Sequence, residues 1–152
     1  KEVANMAKIV AVCLSQERGT PKKPVDQGFL KEGYGLVGDA HAGSCRQVSL
    51  LALESIKKML SALESINPSR MRSQGVEVKP GDSAENIVTE GIDLVSLPVG
   101  TRIRIGSKVI LEITQIGKEF HRPGFYLLPL EGAFARVACG GMVKPGDNLS
   151  ME

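Results

Sequence analysis

Apolar and polar side chains alternate most regularly in the last third of the chain. In the stretch TRIRIGSKVILEIT, residues 101–114, apolar side chains occupy every second position on both sides of Gly106 and Ser107. Two alternating runs joined by a glycine-containing dipeptide are typical of a β-hairpin, and we predict one here. The later stretches GAFARVACGG and VKPGDNLSME indicate a further strand, a glycine turn and a terminal strand.

The first third of the chain favours extended structure over helix. KIVAVCL, Lys8–Leu14, is a short β-branched apolar run that predicts a buried strand. Residues 15–28 are polar and carry two prolines and two glycines, so we expect a loop. Residues 29–49 contain four glycines, which indicate extended chain with tight turns.

One helix is predicted near residues 49–65. Ser49 is a good N-cap residue, because its hydroxyl can accept a hydrogen bond from a free amide of the first turn. After it, leucine and isoleucine recur three or four positions apart, at Leu50, Leu53, Ile56, Leu60 and Leu63. Residues 66–84 are polar again and are expected to form a mobile loop.

These elements predict a mostly β protein with one main helix and short helical turns. We expect a single domain over residues 1–152, with residues 1–7 a disordered or tag-derived start. Strands and helices do not alternate in a βαβ rhythm, and no repeat of fixed period is present. Many short strands with a single helix indicate a closed or partly open β-barrel.

Composition excludes several classes of protein. The net charge of +2 is too small to indicate a nucleic-acid or membrane partner. Aromatic residues make up 4% of the chain and none is tryptophan, which argues against a base-stacking surface. Three widely separated cysteines form neither a disulfide framework nor a zinc site, so we expect a cytoplasmic protein.

The stretch GLVGDAHAGSCRQVSL, residues 35–50, contains the first candidate site. Asp39 and His41 are two positions apart and would project to the same face of an extended chain. Arg46, Gln47 and Ser49 follow, just before the predicted helix with its free amides, and this combination suits an anion such as phosphate. In the alternative interpretation, Asp39 caps a glycine turn and Arg46 pairs with a surface carboxylate.

Two later stretches provide further candidates. In KPGDSAENIV, Glu85 and Asn86 follow a turn and precede a strand, where an asparagine can bind a heterocycle or phosphate or can simply cap the backbone. In IGKEFHRPG, Lys118, His121 and Arg122 place three cationic or potentially cationic side chains in five residues. This group either completes the anion site or forms a solvated loop tip.

Common catalytic motifs are not found in this sequence. The two histidines lack the spacing of a metal site, and we predict no metal ligands. GYGLVG lacks the strand–loop–helix setting of a dinucleotide fingerprint, and neither a phosphate-binding P-loop nor a nucleophile elbow is present.

The order of three segments resembles the MOSC domain, the C-terminal domain of molybdenum cofactor sulfurases. These segments are GLVGDAHAG…RQVSLLALES, KPGDSAENIVTEGIDL…LPVGTRIRIG and LEITQIGKEFHR…EGAFARVACGGMVKPGD. The resemblance implies a barrel of the MOSC and pyruvate-kinase type whose cleft binds molybdenum cofactor or a related pterin or sulfur species. It implies cofactor-binding positions at Gly38, Asp39, His41, Arg46, Gln47, Ser49, Glu85, Asn86 and His121, with Lys118, Phe120 and Arg122 beside them.

The sequence departs from the family pattern where sulfur chemistry is expected. The family usually has a cysteine just before the histidine, as in GKxCH, and Phe120 stands there in this chain. A phenyl ring cannot carry sulfur as a persulfide. Cys45 is the candidate surrogate, because Arg46 and a helix start would lower its pKa, although a structural thiol is the alternative. Cys13 is expected to pack in the core, and Cys139 lies at a Gly-Gly turn.

A second departure lies in the turn before Glu85. Ala84 stands where the family has glycine, and alanine disfavours a positive φ.

The resemblance implies sulfur carriage or transfer in molybdenum-cofactor metabolism, with a cysteine desulfurase or a molybdenum enzyme as partner. Pyridoxal phosphate is associated with this family through a separate desulfurase domain, which this chain lacks. Because Phe120 replaces the cysteine, the alternatives are a non-catalytic module that binds the cofactor or docks to a partner, and a barrel retained for interaction alone.

Overall fold

Seven strands close into a barrel around one apolar core. The structure is a computed structural model that describes residues 7–18, 20–66, 79–117 and 131–152. Its strands are β1 Ala7–Leu14, β2 Lys23–Val25, β3 Gly28–Lys31, β4 Gly35–Leu36, β5 Val48–Ala52, β6 Ile87–Glu90, β7 Arg102–Ile105, β8 Val109–Ile116, β9 Ala133–Cys139, β10 Gly141–Val143 and β11 Asn148–Met151. The helix α1 spans Leu53–Ile66, and a 3-10 turn spans Leu94–Ser96.

The barrel follows the order β11-β7-β8-β9-β5-β6-β1 and closes where β11 pairs with β1. Ala7 lies opposite Leu149 in this closing pair. The short β2 extends the sheet beside β1, while β10, β3 and β4 form a separate three-stranded sheet. The prediction of a mostly β protein with a closed barrel is therefore confirmed.

The predicted hairpin is β7 and β8, joined by a turn over residues 106–108. Ile103 and Ile105 are buried in the barrel, whereas Arg102, the first residue of β7, is exposed. Gly106 has φ +63°, a left-handed conformation that favours glycine. The alternation of the sequence therefore matches the two faces of the strands.

The predicted start of the helix is wrong. Residues 48–52 form β5, and α1 begins at Leu53 rather than beside Ser49. All five residues of β5 are buried, because Leu50 faces the barrel interior and Leu51 faces the layer beneath α1. A strand that is covered on both faces does not alternate apolar and polar side chains. The apolar residues of β5 therefore resemble the first turn of the helix that follows.

The helix connects the only parallel pair in the described part of the barrel, β5 and β6. The sequence showed no βαβ rhythm, yet one such unit is present, since parallel strands require a long crossover. No helix in the described part of the chain is long and apolar enough to cross a membrane.

Other predicted segments differ in detail. The expected loop 15–28 contains β2, and β3 begins at its last residue. Of the expected disordered start, only Ala7 lies within the described residues, where it opens β1. Of the expected mobile loop 66–84, residues 67–78 lie outside the described residues, and 80–83 form a turn.

A second apolar layer lies between the barrel wall and α1. It contains Ala11, Cys13, Leu51, Ile56, Val88 and Phe134, which come from four adjacent strands and the helix. Two candidate residues contact members of this layer. Arg46, which precedes β5, lies over the Phe134 ring, and Asn86, which precedes β6, donates to the carbonyl of Cys13.

Candidate functional site

Ser49 and Asn86 join three strands at one end of the barrel. Oδ1 of Asn86 accepts hydrogen bonds from the backbone N–H of Ser49 at 3.0 Å and from its hydroxyl at 3.2 Å. Nδ2 of Asn86 donates to the carbonyl of Cys13 in β1 at 3.1 Å. Both side chains are buried, and the described structure already engages their polar atoms. Their hydrogen bonds hold the adjoining ends of β1, β5 and β6 together.

Ser49 does not cap the helix, contrary to the prediction. It lies within β5, four residues before α1 begins, and its hydroxyl bonds Asn86 instead of a helix amide. The sequence predicts that the free amides of a helix start lie just after Arg46 and Gln47. This is wrong, because α1 begins only at Leu53.

Glu85 is fully buried and closes the turn before β6. Its carboxylate accepts hydrogen bonds from the backbone N–H groups of Gly81 at 2.7 Å and Ser83 at 3.0 Å. Burial raises the pKa of Glu85 above its ordinary value, although these backbone hydrogen bonds act in the opposite direction. Glu85 thus holds the turn, and the capping interpretation describes its contacts.

Ala84 adopts a left-handed backbone conformation, which alanine disfavours. Its φ is +66°, in the left-handed region where glycine carries no steric penalty. The turn is imposed by its neighbours, because the N–H of Ala84 donates to the carbonyl of Gly81 at 2.9 Å and the Glu85 carboxylate binds the same turn. The expectation that alanine would avoid a positive φ here is wrong.

The stretch GLVGDAHAG folds as consecutive tight turns. The N–H of Asp39 donates to the carbonyl of Leu36 at 3.0 Å, and that of Ala42 donates to the carbonyl of Asp39 at 3.2 Å. Gly38 has φ +94°, which allows the chain to reverse before the aspartate. The expected projection of Asp39 and His41 from an extended chain is therefore wrong, because the backbone between them turns.

The buried Lys22 connects these turns to the segment that follows β1. It is not among the candidates that the sequence predicts. Lys22 is 3% exposed, and its Nζ lies 2.8 Å from Oδ1 of Asp39. The same nitrogen lies 3.4 Å from the hydroxyl of Ser15 and 3.4 Å from Nδ1 of His41. In TPKKP the lysine reads as part of a solvated loop, and no local pattern distinguishes it from Lys23, which is exposed.

Asp39 is the centre of this cluster. Besides Lys22, its carboxylate accepts hydrogen bonds from the backbone N–H groups of Ser15 at 3.1 Å and His41 at 3.0 Å. Burial acts to raise the pKa of Asp39, but the hydrogen bonds from Lys22, His41 and Ser15 outweigh it, and the pKa is lowered. The carboxylate is therefore ionised and caps the glycine turn, as the alternative interpretation proposed.

Arg46 lies on the second apolar layer. Its guanidinium carbon lies 5.4 Å from the centre of the Phe134 ring, and its Nε donates to Oε1 of Gln115 at 3.4 Å. Within the described residues, its two terminal nitrogens have no hydrogen-bond partner and it pairs with no carboxylate. The ring contact and the Nε hydrogen bond restrict the guanidinium, a group whose terminal N–H donors can bind an anion.

Gln47 and Gly35 bring the turns against the barrel. Oε1 of Gln47 accepts a hydrogen bond from the backbone N–H of Val137 in β9 at 3.0 Å. A side-chain carbon added at Gly35 would lie 2.6 Å from the carbonyl oxygen of Gln47, which leaves room for hydrogen alone. Gln47 therefore supports the loop through its side chain, in the same way that Asn86 supports the strands.

The three cysteines have different environments. Cys13 is buried, and burial raises the pKa of its thiol from 9.0 to about 12, with a smaller contribution from Glu85. This agrees with the expected packing role. Cys45 is exposed and Cys139 is half-buried. Cys45 is next to Arg46 in the chain, but the helix start that was expected to activate it lies at Leu53.

The third group of candidates, Lys118, Phe120, His121 and Arg122, lies outside the described residues. The described chain stops before them at Gly117, directly after β8, and resumes at Glu131. Gln115, the residue that accepts from Nε of Arg46, lies only three positions before Lys118 in the sequence.

Comparisons with known proteins agree with this architecture. The sequence profile of the MOSC domain matches residues 37–117, just over half of the chain. The solved structure of the YuaD protein from Bacillus subtilis has a TM-score of 0.69 at 20% identity, covering 95% of this chain and 94% of that one. YiiM from Geobacillus stearothermophilus has a TM-score of 0.66 at 15% identity, covering 96% and 75%.

YiiM from Escherichia coli is similar in the same way, with a TM-score of 0.63 at 17% identity and coverage of 97% and 69%. At these identities the likeness shows a shared fold. A search among curated proteins finds no match. The profile match includes Asp39 and His41, the buried pair Ser49 and Asn86, and the barrel strands β5 to β8. The chain belongs to the MOSC domain family.

Proposed function

We propose that this protein binds an anionic, pterin-derived ligand of the molybdenum cofactor class, or a related sulfur species, in the cleft beside Arg46. The MOSC family is generally linked to molybdenum-cofactor sulfurase function, which supplies the ligand class. The observation that carries the proposal is the guanidinium of Arg46, stacked on Phe134 with two terminal nitrogens that have no partner among the described residues.

The donor set fits the acidic part of such a ligand. A pterin cofactor carries a phosphate, and a planar guanidinium binds phosphate oxygens through two parallel hydrogen bonds. His41 adds a partly exposed ring, with a side chain that is 33% accessible to solvent. Because hydrogen bonds within the protein engage the polar side chains of Asp39, Ser49, Glu85 and Asn86, these residues shape the cleft. When bound, the cofactor would supply the molybdenum chemistry.

Sulfur carriage is a second candidate function, and the environments of the thiols favour Cys45 for it. A persulfide forms on a thiol that reaches solvent and ionises, and Cys13 does neither. Among the described residues, Cys45 is the exposed thiol and is adjacent in sequence to Arg46. A cysteine desulfurase is the proposed sulfur donor and a molybdenum enzyme the proposed acceptor.

The binding proposal is tested by anaerobic incubation with molybdenum cofactor released from a molybdenum enzyme. Bound pterin is measured after gel filtration by oxidation to its fluorescent derivative. Removal of a charged hydrogen-bond donor costs about 1.5–3 kcal/mol, so we expect Arg46→Ala to bind roughly 10- to 150-fold more weakly. Arg136→Ala, an exposed arginine of β9 that pairs with Glu112, is the matched control.

Equal binding by Arg46→Ala and Arg136→Ala would show that the cleft is wrongly placed. The sulfur proposal has a separate test, in which a cysteine desulfurase and cysteine are added and the protein mass is followed. Uptake of one sulfur atom that disappears in Cys45→Ser supports carriage on this thiol. No uptake by the wild type, together with cofactor binding, identifies a non-catalytic binding module.

A further inference from the structure

We infer that Lys22 is a positioning residue that holds the ring of His41 in one tautomer, with Nδ1 unprotonated and the proton on Nε2. The inference rests on the proposed function, because it assumes that His41 faces the ligand. The observation behind it involves no ligand: three acceptors surround the buried ammonium group of Lys22.

The three protons of Lys22 have three acceptors. Nζ lies 2.8 Å from Oδ1 of Asp39, 3.4 Å from Oγ of Ser15 and 3.4 Å from Nδ1 of His41. An ammonium group donates three hydrogen bonds and accepts none. Lys22 is 3% exposed, so water does not readily replace any of these partners. Nδ1 of His41 therefore has to be the acceptor.

The contact at Ser15 is consistent with this assignment. The hydroxyl of Ser15 donates its own proton to the carbonyl of Glu17 at 2.9 Å. Its oxygen lone pairs are then free to accept from Lys22. Two of the three partners thus have fixed acceptor roles, and the ring nitrogen takes the third.

The geometry of the Lys22 and Asp39 side chains disfavours the other tautomer. A proton on Nδ1 would point towards Oδ2 of Asp39, which lies 3.8 Å away, beyond hydrogen-bond distance. That oxygen already accepts the backbone N–H of His41 at 3.0 Å. A proton on Nδ1 would also face the ammonium of Lys22. The cluster therefore favours the tautomer with Nε2–H.

This arrangement assigns a role to His41 in ligand recognition. A second proton on the ring would place another positive charge beside Lys22 at 3.4 Å. In this tautomer the proton that His41 can donate is on Nε2, and the positive charge that attracts the ligand comes from Arg46. The ligand group that His41 recognises is an acceptor, such as a phosphate oxygen, and the buried Lys22–Asp39 pair keeps the donor pointed in one direction.

The tautomer can be read directly from the nitrogen shifts of the imidazole in uniformly nitrogen-15-labelled protein at neutral pH. The chain has two histidines, so a His121→Asn variant identifies the signals of His41. We expect a pyridine-like shift for Nδ1 and a pyrrole-like shift for Nε2. A pyrrole-like Nδ1 in the folded wild type overturns the inference. Because no ligand is used, this result is independent of whether the cofactor binds.

Variants separate a positioning role from a merely structural one. In Lys22→Met, the constraint is removed and we expect the Nδ1 and Nε2 shifts of His41 to move towards the averaged values of exchanging tautomers. Lys23→Met, the exposed neighbour, is the matched control and should leave both shifts unchanged. If folded Lys22→Met keeps the wild-type shifts, Lys22 does not set the tautomer. If Lys22→Met does not fold, the wild-type shifts alone decide.

Discussion

The ammonium of Lys22 and the carboxylate of Asp39 form an ion pair at 2.8 Å in which both side chains are almost completely buried. Lys22 follows β1 after a polar segment, and Asp39 lies in the glycine turns after β4. The pair therefore ties two irregular segments together at the end of the barrel that carries the candidate site.

Breaking this pair should strongly destabilise the protein. Lys22→Met leaves the Asp39 carboxylate buried without its countercharge, and we expect the free energy of unfolding in urea to fall by about 3–5 kcal/mol. Lys144→Met, which removes an exposed partner of Asp147, is the control and should change it by less than about 1 kcal/mol. Similar losses in the two variants would contradict the assigned burial.

The same carboxylate predicts a loss of stability in acid. A carboxyl group whose pKa is lower in the folded than in the unfolded chain adds stability above its unfolded value, about 3.9 for aspartate. That stability is lost as the pH falls through the folded value. We expect Asp39→Asn to show a smaller decrease in unfolding free energy between about pH 5 and pH 2 than the exposed-site control Asp26→Asn. If the unfolding free energies of the two variants decrease equally over this pH range, the lowered pKa of Asp39 is contradicted.

Replacing Ala84 by glycine, the residue of the family pattern, should stabilise the protein. At φ +66°, alanine carries a steric penalty of about 1–2 kcal/mol that glycine avoids, so Ala84→Gly should raise the free energy of unfolding by about 1 kcal/mol. Ala62→Gly, on an exposed position of α1, should lower it by about 1 kcal/mol. A destabilised Ala84→Gly would show that this turn does not strain the residue.

Thr89 should be replaceable by valine with a gain in stability. Its hydroxyl is buried in β6 and has no hydrogen-bond partner among the residues that the structure describes, an arrangement that costs about 1–3 kcal/mol. We expect Thr89→Val to raise the thermal midpoint. In contrast, Thr114→Val should not, because the hydroxyl of Thr114 bonds the carbonyl of Phe134 at 3.2 Å. Parallel changes in the two variants would indicate that Thr89 has a partner.

The thiols should react in an order set by burial. In native protein at pH 8, a maleimide should modify Cys45 first, and Cys13 only after unfolding, as measured by peptide mass spectrometry. Since the pKa of Cys13 is raised to about 12, its contribution to stability is complete below pH 9 and is lost as the pH rises towards 12. Early modification of Cys13 would contradict its placement beneath α1.

Sequence by itself determined the strands whose two faces have different environments. Ile103 and Ile105 alternate with arginines because one face of β7 packs into the barrel and the other meets solvent. The turn at Gly106, the mostly β class and the family resemblance also follow from the order of residues. The start of the helix did not, because β5 is buried on both faces and its apolar run has no period that separates it from α1.

Only the tertiary structure decided which polar side chains bind other segments of the protein. Asp39, Ser49 and Asn86 have the same residue types as ligand-binding groups, but they bind partners on distant segments that no local pattern shows. Lys22 resembles Lys23 in sequence and differs from it only through burial beside Asp39. Local side-chain spacing specifies strands and turns, whereas the partners of a buried charge depend on how distant segments meet.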